Sequence, residues 1–139
     1  MKNLICILFS AILFSCSEDK KPLELFSPEA FAFSMEPGWE LNASVRVKNF
    51  AQKKESEVYK VEIAYSVILK NTVGKKIKTI SSGVLNDSAV EEFQDLPIEV
   101  QTELDSTVSY GNYNILFSVT DKYSNEKDTL IKPFILSAE

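Results

Sequence analysis

The residues from Trp39 to Lys48 alternate strictly between apolar and polar side chains, which limits the possible folds more than any other feature of the chain. Apolar residues occupy the odd positions from 39 to 47, and polar residues occupy the even ones. Successive side chains of a β-strand point to opposite faces of the sheet. The segment is therefore predicted to be a strand with one buried and one solvent-exposed face, which ends near Phe50.

The same period of two continues further along the chain. In residues 58–70, apolar side chains recur at odd positions from Tyr59 to Leu69, which predicts a second long core strand. A polar link at 51–57 separates the two strands. Residues 71–75 are expected to form a hairpin connection in which Gly74 supplies a positive φ, followed by a returning edge strand at 76–81.

Shorter segments complete the predicted strand set. Residues 23–26 and 31–35 are expected to form the first strands, and residues 96–104 resume the alternation, with Pro97 restricting pairing at the start. Between them, residues 86–93 carry a possible Asp87 or Ser88 cap followed by acidic residues. This pattern favours one helical turn over a strand.

The C-terminal part reads as a hairpin of residues 111–121 and 129–136, and Pro133 fits a final edge strand because it cannot donate to a ladder. The run GNYNILFSVTD followed by TLIKPFIL resembles the end of bacterial immunoglobulin-like and fibronectin-like domains. That resemblance implies that Tyr113 forms a tyrosine corner, with its hydroxyl bonded to nearby backbone. With seven or eight short strands and no long helical period, the predicted fold is all-β, a single antiparallel β-sandwich of the immunoglobulin-like type.

The N-terminus has the layout of a secretory signal peptide. Lys2 is followed by an apolar stretch from Leu4 to Phe14, which is shorter than the roughly 20 residues that span a bilayer. The sequence Leu13-Phe14-Ser15-Cys16 resembles the bacterial lipobox. The resemblance implies cleavage before Cys16 and a diacylglyceryl thioether on its sulfur. The alternative is an ordinary signal peptide with an unmodified cysteine.

The residues after Cys16 indicate where the protein is expected to be located. Ser17 is not the Asp that resembles an inner-membrane retention signal, so the outer membrane is favoured. Glu18 and Asp19 resemble the acidic export signal of surface lipoproteins in the Bacteroidota, although Lys20 and Lys21 depart from its richer acidic forms. We therefore expect three regions: a cleaved signal peptide (1–15), a lipidated tether (16–22) and a β-sandwich domain (23–139).

Composition excludes several classes of function. The chain has no histidine, which removes serine–histidine and cysteine–histidine nucleophiles and histidine-ligated zinc. Cys6 leaves with the signal peptide and Cys16 is lipidated, so no thiol or disulfide is expected in the folded part. Loss of Lys2 leaves 14 basic and 20 acidic residues, a net charge of −6 that disfavours nucleic acid as a partner. With four glycines, a glycine-rich phosphate loop is not expected, and no cofactor is implied.

Trp39 has two possible roles, a ligand platform and core packing. It is the only tryptophan and follows a turn-like Glu36-Pro37-Gly38, and an exposed tryptophan on a sandwich can bind sugar rings. Its place at the head of a dry strand face favours the core. The other aromatic residues at alternating positions are likewise predicted to be core residues; they are Phe31, Phe33, Tyr59, Tyr65, Tyr113, Phe117 and Phe134.

Two acidic groups are interpreted as solvated surface. Asp121, Asn125, Glu126 and Asp128 surround one predicted loop but lack the spacing of a calcium-binding loop, so no metal site is predicted. A second concentration is expected to keep the surface soluble; its members are Glu91, Glu92, Asp95, Glu99, Glu103 and Asp105.

Three short motifs resemble the O-glycosylation sequon of exported Bacteroidota proteins. They place the modified hydroxyl at Ser88, Ser106 or Thr129, each directly after an aspartate. Ser88, in a predicted loop, is favoured over Thr129, which starts a predicted strand. The resemblance implies a modification and no catalytic role.

The function predicted from the sequence is a non-enzymatic, membrane-anchored lipoprotein whose β-sandwich binds an envelope protein or glycan, or serves as an accessory subunit of an envelope complex. One alternative is a small glycan hydrolase with two catalytic carboxylates, 5 to 10 Å apart in a concave pocket. Another is a structural module that donates or accepts a strand at an open edge such as 129–136.

Overall fold

In the computed structural model, which describes residues 19–138, the alternating segments of the sequence form eight β-strands. The bounds of the strands are β1 (Glu24–Met35), β2 (Gly38–Lys48), β3 (Lys53–Glu55), β4 (Val58–Asn71), β5 (Lys76–Ala89), β6 (Asp95–Leu104), β7 (Gly111–Asp121) and β8 (Lys127–Leu136). The long alternating runs of the sequence correspond to β2, β4 and β7, as predicted.

The strands form two antiparallel sheets. The three-stranded sheet has the order β1-β2-β6. In the five-stranded sheet, β5 pairs with β4, β4 with β7 and β7 with β8, while the short β3 pairs with the beginning of β4. Strands β1, β2 and β6 thus lie in one sheet, and β4, β7 and β8 lie in the other. This is the arrangement of an immunoglobulin-like sandwich. The predicted fold class is confirmed.

The core lies between the inner faces of the two sheets, and the odd positions of β2 and β7 supply much of it. The largest side chains that are almost completely buried come from both sheets; the apolar ones are Leu41, Val45, Val47, Val61, Ile63, Val67, Leu69, Leu104, Ile115, Phe117 and Leu136. Burial of apolar surface stabilises a domain by about 25 cal/mol per Å². Packing of these side chains against one another holds the two sheets together.

Two predicted strand boundaries differ from the structure. The segments 23–26 and 31–35 belong to one strand, β1, whose pairing with β2 is interrupted by an irregularity between Phe26 and Glu29. Ser27 has a φ of 51° there and precedes Pro28, so the backbone bends without ending the strand. The predicted polar link at 51–57 contains the three-residue strand β3.

The predicted helical turn at 86–93 is wrong. Residues 86–89 continue β5, because Asn86 to Ala89 pair in register with Glu62 to Tyr59 of β4. Asp87 does not cap a helix; its Oδ1 accepts a bond from the backbone N–H of Ser88. The ladder provided by β4, a tertiary partner, outweighs the local capping preference.

Three local predictions are confirmed. Gly74 lies in the β4–β5 turn with a φ of 85°, and its N–H donates to the carbonyl oxygen of Asn71 at 3.1 Å. Pro133 lies on β8, at one end of the strand order of its sheet. The hydroxyl of Tyr113 donates to the carbonyl oxygen of Ser109 at 2.6 Å, which forms the tyrosine corner.

The connections cluster at two ends of the sandwich. The N-terminal end carries the first described residues, from Asp19, together with the segments at 49–52, 90–94 and 122–126. The far end carries the turns at 36–37, 72–75 and 105–110. The lipobox cysteine, Cys16, lies outside the described residues, as do the signal peptide and the start of the tether.

Candidate binding surface

The outer face of the three-stranded sheet carries an exposed apolar strip, which we call the aromatic ridge and define as Phe31, Phe33 and Met35. These odd positions of β1 point outward because Ala30 and Ala32, at the even positions, pack against the core. The side chains of Phe31 and Phe33 are 49% and 53% exposed. Their rings meet edge to face, with centroids 5.3 Å apart. The ridge runs along β1 to the far end.

Polar groups lie beside the ridge at matching positions of the sheet. Phe31 is the register partner of Asn42, which in turn pairs with Gln101 of β6. A shallow depression of about 290 Å³ is lined by Phe31, Glu29, Asn42 and Glu99, with Ala43, Ser44 and Val100 completing it. An apolar ring face next to amide and carboxylate groups suits a sugar ring or a polar peptide, since each presents apolar and hydrogen-bonding surface together.

The prediction that Phe31 and Phe33 are core residues is wrong, whereas Phe117 and Phe134 of the same set are buried. In the sequence AFAFSM both faces of β1 are apolar, and a strand that shifts by one residue exchanges its two faces. The small alanines pack inward and the large rings outward. The position of the neighbouring strands decides which face of β1 is buried.

Trp39 is a core residue, so of its two proposed roles the ligand platform is not supported. Its side chain is 8% exposed, and its ring meets Tyr110 edge to face at 5.3 Å. Tyr110 covers it from the far end and is itself 60% exposed. The exposed aromatic surface therefore belongs to Tyr110 and the ridge.

The outer face of the five-stranded sheet has a different character. One row across four strands consists of hydroxyl residues, namely Ser82, Ser66, Ser118 and Thr129, and the next consists of Thr79, Ile68, Leu116 and Ile131. Neither row contains an aromatic or charged residue. We therefore place the candidate site on the three-stranded sheet.

Asp121 is the one buried charged residue among those described, with no exposed surface. Its Oδ2 accepts bonds from the N–H of Ala51 at 2.6 Å and from the hydroxyl of Ser124 at 2.7 Å. Its Oδ1 accepts from the N–H of Tyr123 at 2.9 Å, with Ser124 N at 3.4 Å. Burial raises the pKa of this carboxyl, but the hydrogen bonds from Ala51, Ser124 and Tyr123 together outweigh burial and hold the pKa below its usual value.

The acidic residues around the loop after β7 use their oxygen atoms for hydrogen bonds to the protein. Besides Asp121, Asp128 accepts the N–H of Leu25 at 2.8 Å through Oδ2, and Glu126 meets the ammonium of Lys20 at 3.2 Å. Asn125 has a φ of 62°, as a turn residue would. Within residues 19–138, no cluster of three or more ligating side chains suits a metal ion.

The three sequon residues lie in different settings, and all are exposed. Ser88 is in β5 and not in a loop, and Thr129 is in β8 opposite Ser118. Ser106 lies in the far-end turn, where Oδ1 of Asp105 accepts bonds from the N–H and hydroxyl of Thr107. These bonds lower the pKa of Asp105. Ser106 is thus the one sequon hydroxyl on a turn.

Comparisons with known proteins add little to this description. The sequence matches no protein-family model and no curated protein. One solved structure, described as the X-ray structure of Northeast Structural Genomics Consortium target SoR45, is similar at 14% identity over 86% of this chain and 87% of that chain, with a TM-score of 0.32. No helix in the described part of the chain is long and apolar enough to cross a membrane.

Proposed function

We propose that the protein is a lipoprotein of the bacterial outer membrane, anchored through Cys16, whose sandwich binds an envelope protein or glycan without catalysing a reaction. The observation that carries this proposal is the aromatic ridge with its polar depression. Large aromatic side chains are usually buried, and two neighbouring exposed rings beside hydrogen-bonding groups are typical of a binding surface. Phe31 and Asn42 are the residues we expect a ligand to contact first.

The position of the ridge supports this assignment. The described chain begins at the N-terminal end of the sandwich, where the amide of Asn49 donates to the carbonyl oxygen of Pro22 at 2.9 Å. A lipid on Cys16 would hold that end near the bilayer through a tether of a few residues. The ridge extends in the opposite direction to Met35, and exposed Tyr110 and Val73 lie at the same far end. A ligand would therefore approach from the side away from the membrane.

The test of binding is a pull-down from envelope extracts with the chain from Ser17 to Glu139, which includes all eight strands. We expect the double variant Phe31→Ser/Phe33→Ser to lose the captured partner. The matched control is Ile131→Ser/Ile135→Ser, which removes two exposed apolar side chains from the other sheet. Equal capture by the ridge variant and the unmodified chain would place the binding surface elsewhere.

Anchoring is tested separately with the full-length protein. Cys16→Ala is expected to release the protein from the membrane fraction and to remove its sensitivity to globomycin. Protease treatment of whole cells then reports whether the domain faces outward. A membrane-bound, globomycin-sensitive Cys16→Ala product would contradict the proposed lipid anchor.

A second candidate function, glycan hydrolysis, is favoured by one observation. Glu29 and Glu99 line the same depression, so two carboxylates approach one potential ligand position. Both are exposed, whereas an acid–base pair needs environments that separate two pKa values. Release of reducing sugar from envelope glycans by the unmodified chain, abolished in Glu99→Gln, would establish this alternative.

A further inference from the structure

Two pairs of like charges, opposite in sign, lie on the two outer faces of the sandwich. In the three-stranded sheet, Glu40 of β2 is the register partner of Glu103 of β6. In the five-stranded sheet, Lys70 of β4 is the register partner of Lys76 of β5. Like charges directly opposite each other on neighbouring strands are destabilising. Within residues 19–138 none of these four side chains forms an ion pair, so neither pair is neutralised inside the single chain.

The glutamate pair and the lysine pair lie at the same level of the sandwich and point away from each other. Glu103 precedes the buried Leu104, and Lys70 follows the buried Leu69, so both charged side chains lie on outer faces. Nζ of Lys78, two positions along β5 from the lysine pair, donates to the carbonyl oxygen of Glu103 at 2.6 Å. This bond joins β5 to β6 at the level of both pairs.

The exposed apolar side chains of the two outer faces have a matching arrangement. On β8, Ile131, Pro133 and Ile135 alternate with inward positions and are exposed; we call them the β8 strip. Strand β1, which carries the aromatic ridge, lies against β8 across the core. The N–H of Leu25 donates to Oδ2 of Asp128 at 2.8 Å near the start of the two strands. The ridge and the β8 strip therefore both lie on the far side of this bond, on opposite outer faces.

We propose that the three-stranded sheet of one copy of the chain packs against the five-stranded sheet of a second copy. The proposal rests on the proposed function, because it names the partner of the aromatic ridge. The second copy is displaced perpendicular to the sheets, without rotation. Since β1 lies against β8 and β6 against β5 across the core, this displacement brings β1 to the outer face of the neighbour's β8, and β6 to that of its β5. The ridge then meets the β8 strip, and the glutamate pair meets the lysine pair.

The match between the two faces extends to a further row of residues. Glu29 and Glu99 lie in one row of the three-stranded sheet, two positions along the strands from the ridge residue Phe33 and the glutamate pair. The hydroxyl row of the five-stranded sheet, defined above by Ser82, Ser66, Ser118 and Thr129, is separated from the lysine pair by one row of the same kind. Hydroxyl groups can donate to carboxylates. A basic peptide would neutralise the carboxylates, whereas a second copy also supplies the apolar strip and the hydroxyl groups in the same order along the strands.

The contact joins two different surfaces, so it does not close on itself. Each end of a pair keeps one free surface, and further copies can add in a row. All copies in the row have the same orientation, with their N-terminal ends on the same side. Lipid anchors on Cys16 in one membrane are compatible with this arrangement, and anchoring raises the effective concentration of the copies.

The test measures the sedimentation of the chain from Ser17 to Glu139, without a lipid, at concentrations up to about 1 mM. We expect the average sedimentation coefficient to rise with concentration, and to rise less in high salt, which screens exposed charges. Two variants reverse the charges, Glu40→Lys/Glu103→Lys on one face and Lys70→Glu/Lys76→Glu on the other. Because like charges then meet across the contact, each variant alone should associate at least about tenfold more weakly than the unmodified chain.

Mixing the two charge-reversed variants is the decisive measurement. One variant retains the glutamate pair and the other retains the lysine pair, so an equimolar mixture should associate where neither variant does alone. The matched control is Glu91→Lys/Glu92→Lys, which makes the same change of charge in the exposed loop after β5 and should associate like the unmodified chain. Thermal unfolding of each variant verifies that it is folded.

The proposal is overturned if the unmodified chain remains monomeric up to the highest concentration, if either charge-reversed variant associates as strongly as the unmodified chain, or if their mixture remains monomeric. These results are independent of the proposed function. A pull-down from cells that lack this protein reports other partners of the ridge, and capture of one by a chain that remains monomeric would exclude the self-contact alone. Because the sedimented protein carries no lipid, failure of the anchoring proposal leaves the outcome unchanged.

Discussion

At the N-terminal end of the sandwich, the buried carboxylate of Asp121 joins the loop after β2 to the turn after β7, whereas within residues 19–138 no buried charged residue lies at the far end. There, Gly38 lies against the carbonyl of Leu104, and Tyr113 bonds to Ser109. The far end also exposes Met35, Val73 and Tyr110. A charged buried group fixes one end strongly but makes it sensitive to acid. The other end keeps apolar surface available, and Asp105, a carboxylate with a lowered pKa at that end, is exposed.

The largest expected effect is that of Asp121→Asn. The amide has nearly the shape of the carboxylate, but its NH₂ group would face a backbone N–H of Ala51 or Tyr123, leaving buried donors without an acceptor. We expect the free energy of unfolding to fall by about 3 to 4 kcal/mol, measured by chemical denaturation. The same change at the far end, Asp105→Asn, affects an exposed carboxylate and should lower the free energy of unfolding much less. Equal losses would show that the two ends do not differ.

Gly38→Ala is expected to have the next largest effect. Gly38 has a φ of 102°, and a Cβ atom would lie 2.0 Å from the carbonyl oxygen of Leu104, so β2 and β6 would have to separate at the far end. We expect a loss of about 2 to 3 kcal/mol in thermal or chemical unfolding. Gly74→Ala is the matched control, because Gly74 also has a positive φ but no atom within 4 Å of the added Cβ. Equal loss in both variants would mean that backbone conformation alone matters.

Acid should weaken the N-terminal end selectively. Because the pKa of Asp121 is lower in the folded chain, its stabilising contribution is complete above the unfolded pKa of about 3.9 and is lost as pH falls through the folded value. The difference in unfolding free energy between the unmodified chain and Asp121→Asn should be constant from pH 7 to 5 and shrink towards pH 2. A difference that does not shrink between pH 5 and pH 2 would contradict the assigned role.

The smallest expected effect is that of Tyr113→Phe. The change removes one hydrogen bond, to a carbonyl near the exposed surface, and retains the ring. We expect a loss of about 1 kcal/mol, independent of pH between 7 and 3. Hydrogen exchange should show faster opening confined to residues 105–113. Opening that spreads to 122–126 would show that the two ends are coupled.

The fold could be predicted from the sequence wherever one strand face is apolar and the other polar. This condition holds for β2 and β4, and a local turn signal at Gly74 fixed the hairpin between β4 and β5. It does not hold for β1, where Ala and Phe alternate and the neighbouring strands decide which face is buried. It also fails for residues 86–89, whose helix-cap pattern is overruled by pairing with β4.

The candidate sites are harder to predict from the sequence than the fold is. Large rings are usually buried, which predicts that Phe31 and Phe33 lie in the core, and the free edge of β5 depends on which strand has no neighbour. Asp121 is interpreted from the sequence as a surface acid, yet the alternation along β7 indicates that it is buried. It continues the alternating series Ile115, Phe117 and Val119, all buried, so its register placed it on the inner face.

The bond between Asp121 and the N–H of Ala51 joins segments 70 residues apart in the chain. Among the described residues there is no cysteine, so this carboxylate takes the place that a covalent cross-link occupies in many exported domains. This hydrogen bond needs no oxidising folding machinery and forms when the two loops meet. Reductants and peroxides do not break this hydrogen bond. Acid, and not a change of redox state, is therefore the condition that would break it.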